Sequence, residues 1–96
     1  MIPIHQPRFA LGRLASTPGA LEALQESGQT PWFFLSRHVG GDWGEVCAED
    51  WKLNDEALRD ASRILSAYRT LKGKKLWVIT EADRRLTTLL LPDGAL

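Results

Sequence analysis

The stretch "RILSAYRTLKGKKLWVITEAD", residues 63–83, decides the fold. Two runs rich in β-branched and aromatic residues flank a short basic turn around Gly73, which is the signature of a β-hairpin. Downstream, "RRLTTLLLP" (residues 84–92) supplies a third such run, and Pro92 ends it. Upstream the period is helical. In "AEDWKLNDEALRDA" (residues 48–61) Trp51, Leu58 and Ala61 fall on one face with Asn54 between them. Glu49 and Asp50 suit the start of that helix and Arg59 its end.

Two shorter helices precede it. "STPGALEALQESG" (residues 16–28) has Thr17 as N-cap, Pro18 at the first helical position and Gly28 to close the end, with Leu21 and Leu24 on one face. The device recurs in "PWFFLSRHV" (residues 31–39), which Thr30 caps, Pro31 starts and Gly40 stops. Before them, "RFALGRLAS" (residues 8–16) reads as an edge strand or an extended lead. The expectation is an α+β fold: short N-terminal helices, then a three-stranded antiparallel meander, with the helices packed on one face of the sheet. A chain of 96 residues makes one domain, 1–96, with residues 1–8 and 93–96 frayed.

Composition narrows the function classes. Twelve basic and twelve acidic residues cancel, so no global field steers the chain onto nucleic acid. Cys47 is the one cysteine and the chain has two histidines, so neither a disulfide nor a metal-ligand spacing is present, and no cofactor is expected. No apolar run approaches the ~18 residues of a membrane span, and the opening "MIPIHQPRFALGR" lacks the pattern of a secretory leader. The expected setting is the cytoplasm, with no membrane partner.

Charge is nevertheless local. Between Arg63 and Lys75 the chain carries Arg63, Arg69, Lys72, Lys74 and Lys75 with no acid, whereas residues 49–60 hold five acidic and two basic side chains. That basic hairpin suits an acidic protein surface, or phosphates of a nucleic acid. It also guards an edge strand against unwanted pairing. The loop "RHVGGDWGEV" (residues 37–46) raises a second question, because it sets Trp43 among three glycines. Either the ring plugs the core, which the scarcity of other aromatics favours, or it is offered to a partner. The surface residues singled out for binding are Asp42, Trp43, Arg69, Lys72, Lys74, Lys75, Asp83 and Arg84.

One catalytic constellation can be assembled: His38 as acid, Glu81 as base and Arg84 as anion clamp would suit phosphodiester cleavage. Against it, His38 at a helix end suits a cap or a surface position, and "EADRR" (residues 81–85) reads as a polar hairpin end.

The segments "TPGALEAL", "RHVGGDWGEV", "NDEAL", "RILSAY" and "LWVITEADRRLTTLLLP" together resemble a widespread family of small bacterial proteins carried on plasmids and integrative elements. Some of these are labelled restriction-endonuclease subunits, although this chain contains no methyltransferase or nuclease motif. The resemblance runs from about Phe9 to Pro92. Its pattern lands on His38, Asp42, Trp43, Gly44, Asn54, Tyr68, Trp77, Thr80, Glu81, Asp83, Arg84 and Thr88. This chain ends "DGAL" where family members tend to carry an acidic-aromatic tail. The resemblance implies an accessory protein of a mobile element that binds a host protein, for example a restriction or CRISPR defence complex. The alternative is a small metal-independent ribonuclease with the layout of barnase-like or RelE-like toxins. In that case His38, Glu81 and Arg84 converge on one concave surface. The sequence leaves the oligomeric state open, with Trp32 and Trp77 each suited to a core or to a dimer seam.

Overall fold

A computed structural model describes residues 7–92. The order of elements is β1 (Arg13–Ser16), α1 (Pro18–Ser27), α2 (Pro31–Val39), α3 (Ala48–Asp60), β2 (Ile64–Arg69), β3 (Lys75–Thr80) and β4 (Leu86–Leu90). The fold is α+β. The expected antiparallel meander β2–β3–β4 is present, but the sheet has four strands rather than three, in the order β1-β4-β3-β2. The extra strand is the N-terminal "RLAS", which pairs parallel to β4 with Arg13 opposite Leu86 and Ser16 opposite Leu89. Of the two readings of residues 8–16, an edge strand and an extended lead, Arg13–Ser16 takes the first, at the edge of the sheet.

The ends of α1 show the expected chemistry, whereas the N-caps of α2 and α3 carry no side-chain hydrogen bond. Thr17 Oγ1 accepts from the N–H of Ala20 at 3.3 Å, and Gly28 closes α1 in the left-handed region. Thr30 stands at the N-cap of α2 but makes no side-chain capping bond. Two buried faces differ from the reading of residue spacing. In α1, Ala20, Ala23 and Leu24 are buried while Leu21 stays 45% exposed. In α3, Asn54 and Ala57 point inward, whereas Trp51 is exposed; Ala61, expected on the same face, lies beyond the helix as its left-handed C-cap (φ 58) and is exposed too. Small residues on the inner faces of both helices allow close approach to the sheet.

All three helices lie on one side of the sheet, α1 against β4, α2 against β3 and α3 against β2. Strand alternation then divides the side chains. Ile64, Ser66, Tyr68, Leu76, Val78, Thr80, Thr87 and Leu89 face the helices and are buried. Leu65, Trp77, Ile79, Thr88 and Leu90 face the other way and stay partly exposed. Phe34, Leu35, Leu24 and Ala20 pack on Tyr68, Leu76, Val78 and Leu89, and a second cluster joins Trp43, Ala57 and Ile64.

The free edge of β2 is closed by the chain itself. Asn54 reaches it from α3, donating from Nδ2 to Leu65 O (2.8 Å) and accepting from Leu65 N at Oδ1 (3.2 Å). One step along, Ala67 N donates to Trp43 O (3.1 Å) and Glu45 N donates to Ala67 O (2.6 Å). The glycine loop is therefore a fragment of a fifth strand, bridged at Gly44 and Ala67. Gly44 has φ +76, and a Cβ there would collide with the carbonyl of Ala67 and the ring of Tyr68. The fraying expected at both ends falls mostly outside the described residues, but Arg8 is tied down, its N–H donating to Val39 O at 2.8 Å.

Candidate docking surface

Trp43 answers the question its loop raised. It has no exposed surface, and its indole N–H donates to Asp55 Oδ1 at 2.9 Å. Its assignment to a binding surface is therefore corrected: the ring plugs the end of the core between α3 and β2. Asp42, half-buried beside it, organises the loop. Its carboxylate accepts from Arg37 Nε (2.8 Å) and from Gly44 N (3.1 Å), and its carbonyl accepts from the Tyr68 hydroxyl (2.6 Å). Arg37 also stacks over the Tyr68 ring, 4.5 Å from its centroid.

His38 is equally enclosed, neither the surface cap nor the accessible acid that its position in α2 suggested. Its Nδ1 lies 2.5 Å from Ser66 Oγ and its Nε2 2.9 Å from Thr80 Oγ1. Phe9 and Trp43 stand edge-on to the ring. Burial, with a smaller contribution from the charge of Arg84, pulls the imidazole down from its ordinary 6.5 to about 3. It is neutral at physiological pH.

Arg84 is occupied. Its guanidinium donates to Ala57 O (2.8 Å) and Ser62 O (2.6 Å), taking up carbonyls at the C-terminal end of α3, and also to Glu81 O (3.2 Å). Asp83 caps its own turn, accepting from Arg85 N at 3.0 Å. His38, Glu81 and Arg84 thus form no concave surface, because the first is sealed in the core and the last ties the β3–β4 turn to α3.

The basic residues at the other end of the hairpin do converge. Arg69, Gly73, Lys74 and Lys75 line a pocket of about 380 Å³ closed by Leu91 and Pro92. Arg69 and Lys75 are directly opposed in the β2–β3 register. Like charges facing across an antiparallel pair are destabilising. Glu45 relieves one of them, at 3.1 Å from Arg69 Nε, and Lys75 has no ion-pair partner among the described residues. Lys72 is exposed in the turn itself.

This cationic end adjoins an apolar surface that reasoning from the sequence missed. In register, Ala67 faces Trp77, Trp77 faces Leu90, Leu65 faces Ile79 and Ile79 faces Thr88. The signal was present in the alternation of "KLWVIT": with Leu76, Val78 and Thr80 inward, Lys75, Trp77 and Ile79 must share the outer face. Of the residues expected to bind, Arg69, Lys74 and Lys75 belong to this surface. Asp42 and Trp43 belong to the loop on the β2 edge, and Asp83 and Arg84 to the opposite end of β3.

Among the described residues no group of histidine, cysteine, aspartate or glutamate could hold a metal ion, and no helix is long and apolar enough to cross a membrane. Comparison with family models, curated proteins and solved structures finds no match to this chain.

Proposed function

We propose that the protein acts by binding, and that an acidic protein surface docks on the outer face of its sheet. The observation that carries this reading is the opposition of Arg69 and Lys75 beside Lys74, Trp77 and Leu90. Glu45 offsets the charge of Arg69, which leaves Lys75 as a cation without an ion-pair partner among the described residues, next to partly exposed apolar side chains. A carboxylate of a partner would pair with it, and Trp77 and Leu90 would supply the desolvated contact that anchors an interface. A net charge of zero gives no long-range attraction to a polyanion, which favours a protein over a nucleic acid. The resemblance to proteins of mobile elements suggests the biological form of this activity. The protein is then an accessory factor of a plasmid or integrative element, and its partner is a component of a bacterial defence complex of the restriction or CRISPR kind.

The test is affinity capture of the tagged protein's partners from a bacterial lysate, with identification by mass spectrometry. The wild type is compared with the double variant Lys74→Glu/Lys75→Glu and with Lys52→Glu on α3 as a control. One near-stoichiometric protein, lost with the double reversal and retained with Lys52→Glu, is the expected result. A captured partner indifferent to the reversal, or material removed by nuclease, overturns the reading.

A further inference from the structure

The two edges of the sheet are treated differently. Asn54 and the 43–45 loop take up the outward N–H and C=O groups of Leu65 and Ala67 on β2. At the other edge, Arg13 N donates inward to Arg85 O (2.9 Å) and Thr17 N to Leu89 O (3.0 Å). With odd-numbered residues of β1 committed to β4, the backbone groups of Leu14 and Ser16 point to the open side. Nothing among the described residues takes them up there. An open row of this kind is a template for another strand; β1 has neither a proline nor a bulge, and only its four-residue length and Arg13 blunt it. The flank of this edge is apolar. Trp32 is 61% exposed and Leu14 46%, and together with Pro31, Leu35 and Leu89 they line a groove of about 230 Å³.

We infer that β1 is the seam of a homodimer in which two copies pair β1 antiparallel and join their sheets into one of eight strands. The register follows from which groups are free. Leu14 pairs with the partner's Ser16, and Ser16 with the partner's Leu14, each pair exchanging two backbone hydrogen bonds. Ala15 then meets its own copy across the two-fold axis, where a small side chain lets the strands approach. Arg13 lies opposite the partner's Thr17, so the two Arg13 cations sit at opposite ends of the seam rather than facing each other. Ser16 opposite Leu14 leaves room on the helix side for Trp32 of each copy. The seam is isologous, as a two-fold interface requires. Four-residue strands and one exposed tryptophan per copy bury far less than the ~1,600 Å² of a standard interface, which places the dimer in the weak class, dissociating below roughly 10–100 μM.

The experiment uses Ala15, exposed on the outer face and therefore free to change without disturbing the fold. Sedimentation equilibrium is run on the wild type, on Ala15→Arg, on Ala15→Glu, and on the two variants mixed. The wild type should show a concentration-dependent dimer, each variant alone should associate at least about tenfold more weakly, and the mixture should recover association. In parallel, the amide protons of Leu14 and Ser16 should exchange more slowly as the concentration rises through the dimer range. A wild type that stays monomeric to about 1 mM overturns the inference, as does a dimer whose Leu14 and Ser16 amides exchange unprotected. Association unaffected by either charge at residue 15 does the same. Failure of the docking surface leaves this seam untouched, since the two share no residue.

Discussion

His38 Nε2 donates its proton to Thr80 Oγ1, and the direction of that bond is set two residues further on. The hydroxyls of Thr80 and Thr87 are 2.7 Å apart, and Thr87 Oγ1 lies 2.7 Å from the carbonyl of Leu11. A carbonyl only accepts, so Thr87 donates to it, Thr80 donates to Thr87, and Thr80 is left to accept from the imidazole. Ser66 then donates to Nδ1. The chain runs from β2 through α2 to β3, β4 and the segment before β1, and no buried side-chain polar atom among the described residues is left without a partner. Protonation of the imidazole would make Nδ1 a donor as well, so that Ser66 would have to accept from it and its own hydroxyl proton would lose its acceptor.

The first prediction concerns pH. The folded value of His38 is lowered to about 3 while the unfolded value is 6.5, so between the two the unfolded chain binds more protons. The contribution is fully present above about pH 6.5 and is lost as pH falls toward 3, at up to ~1.4 kcal/mol per pH unit. Urea titrations at pH 7.5, 6, 5 and 4 should show that decline, and His38→Gln, less stable at pH 7.5, should show a shallower one. A flat profile from pH 6.5 to 4 in the wild type contradicts the buried neutral histidine.

A second prediction separates two glycines with similar dihedrals. Gly28 has φ +71 with nothing within 4 Å of a built Cβ, whereas Gly44, at φ +76, is pressed against Ala67 and Tyr68. Gly28→Ala should cost about 1 kcal/mol, the strain of a left-handed alanine. Gly44→Ala should cost about 3 kcal/mol or more, because the loop must leave the β2 edge. Equal melting temperatures for the two variants would show that the 43–45 segment is not held on that edge.

Much of this architecture was legible in the sequence because its signals are local. Thr17-Pro18 and Gly28 bracket α1, and the basic turn at Gly73 separates two strands, all within a few residues of the structure they cause. What was illegible depends on partners far along the chain. The burial of His38 depends on Ser66 and Thr80, 28 and 42 residues away. Helical spacing places Asn54 on the inner face of α3, but no periodicity marks an amide that replaces a strand at the backbone of Leu65. Trp51 obeys helical spacing and is still 38% exposed, while the tryptophan packed with Ala57 and Ile64 is Trp43 from the loop. The choice of edge strand over extended lead for Arg13–Ser16 depends on β4, which receives it in parallel.

The third prediction tests Asn54 as a strand substitute. Asn54→Ala leaves the N–H and C=O of Leu65 without their side-chain partners at a buried position and should cost about 2–3 kcal/mol. Asn54→Asp is more discriminating. An ionised carboxylate still accepts from Leu65 N but faces Leu65 O with no donor, which disfavours the charged form and raises its folded pKa. Stability relative to the wild type should therefore recover as pH falls, when the protonated acid can donate again, and be lost as pH rises. Denaturation of both proteins across pH 4 to 7.5 reads this difference directly.

The fourth prediction turns on Arg84, whose backbone sits at φ +62 while its guanidinium binds the carbonyls of Ala57 and Ser62. The position carries two opposed effects. The left-handed conformation costs a non-glycine residue roughly 1–2 kcal/mol. Hydrogen bonds from a charged donor contribute about 1.5–3 kcal/mol each, less here because the site is partly open to water. The side chain should outweigh the strain, so Arg84→Ala destabilises by about 2 kcal/mol. Arg84→Gly relieves the backbone while losing the same bonds and should cost about 1 kcal/mol less than alanine. Arg84→Lys should fall near alanine, because one ammonium on a flexible stem cannot span both carbonyls in the geometry of the planar fork. If lysine preserves full stability, charge alone holds the β3–β4 turn to α3. If glycine is as damaging as alanine, the turn is not strained. Thermal and urea denaturation of the three variants distinguishes these outcomes.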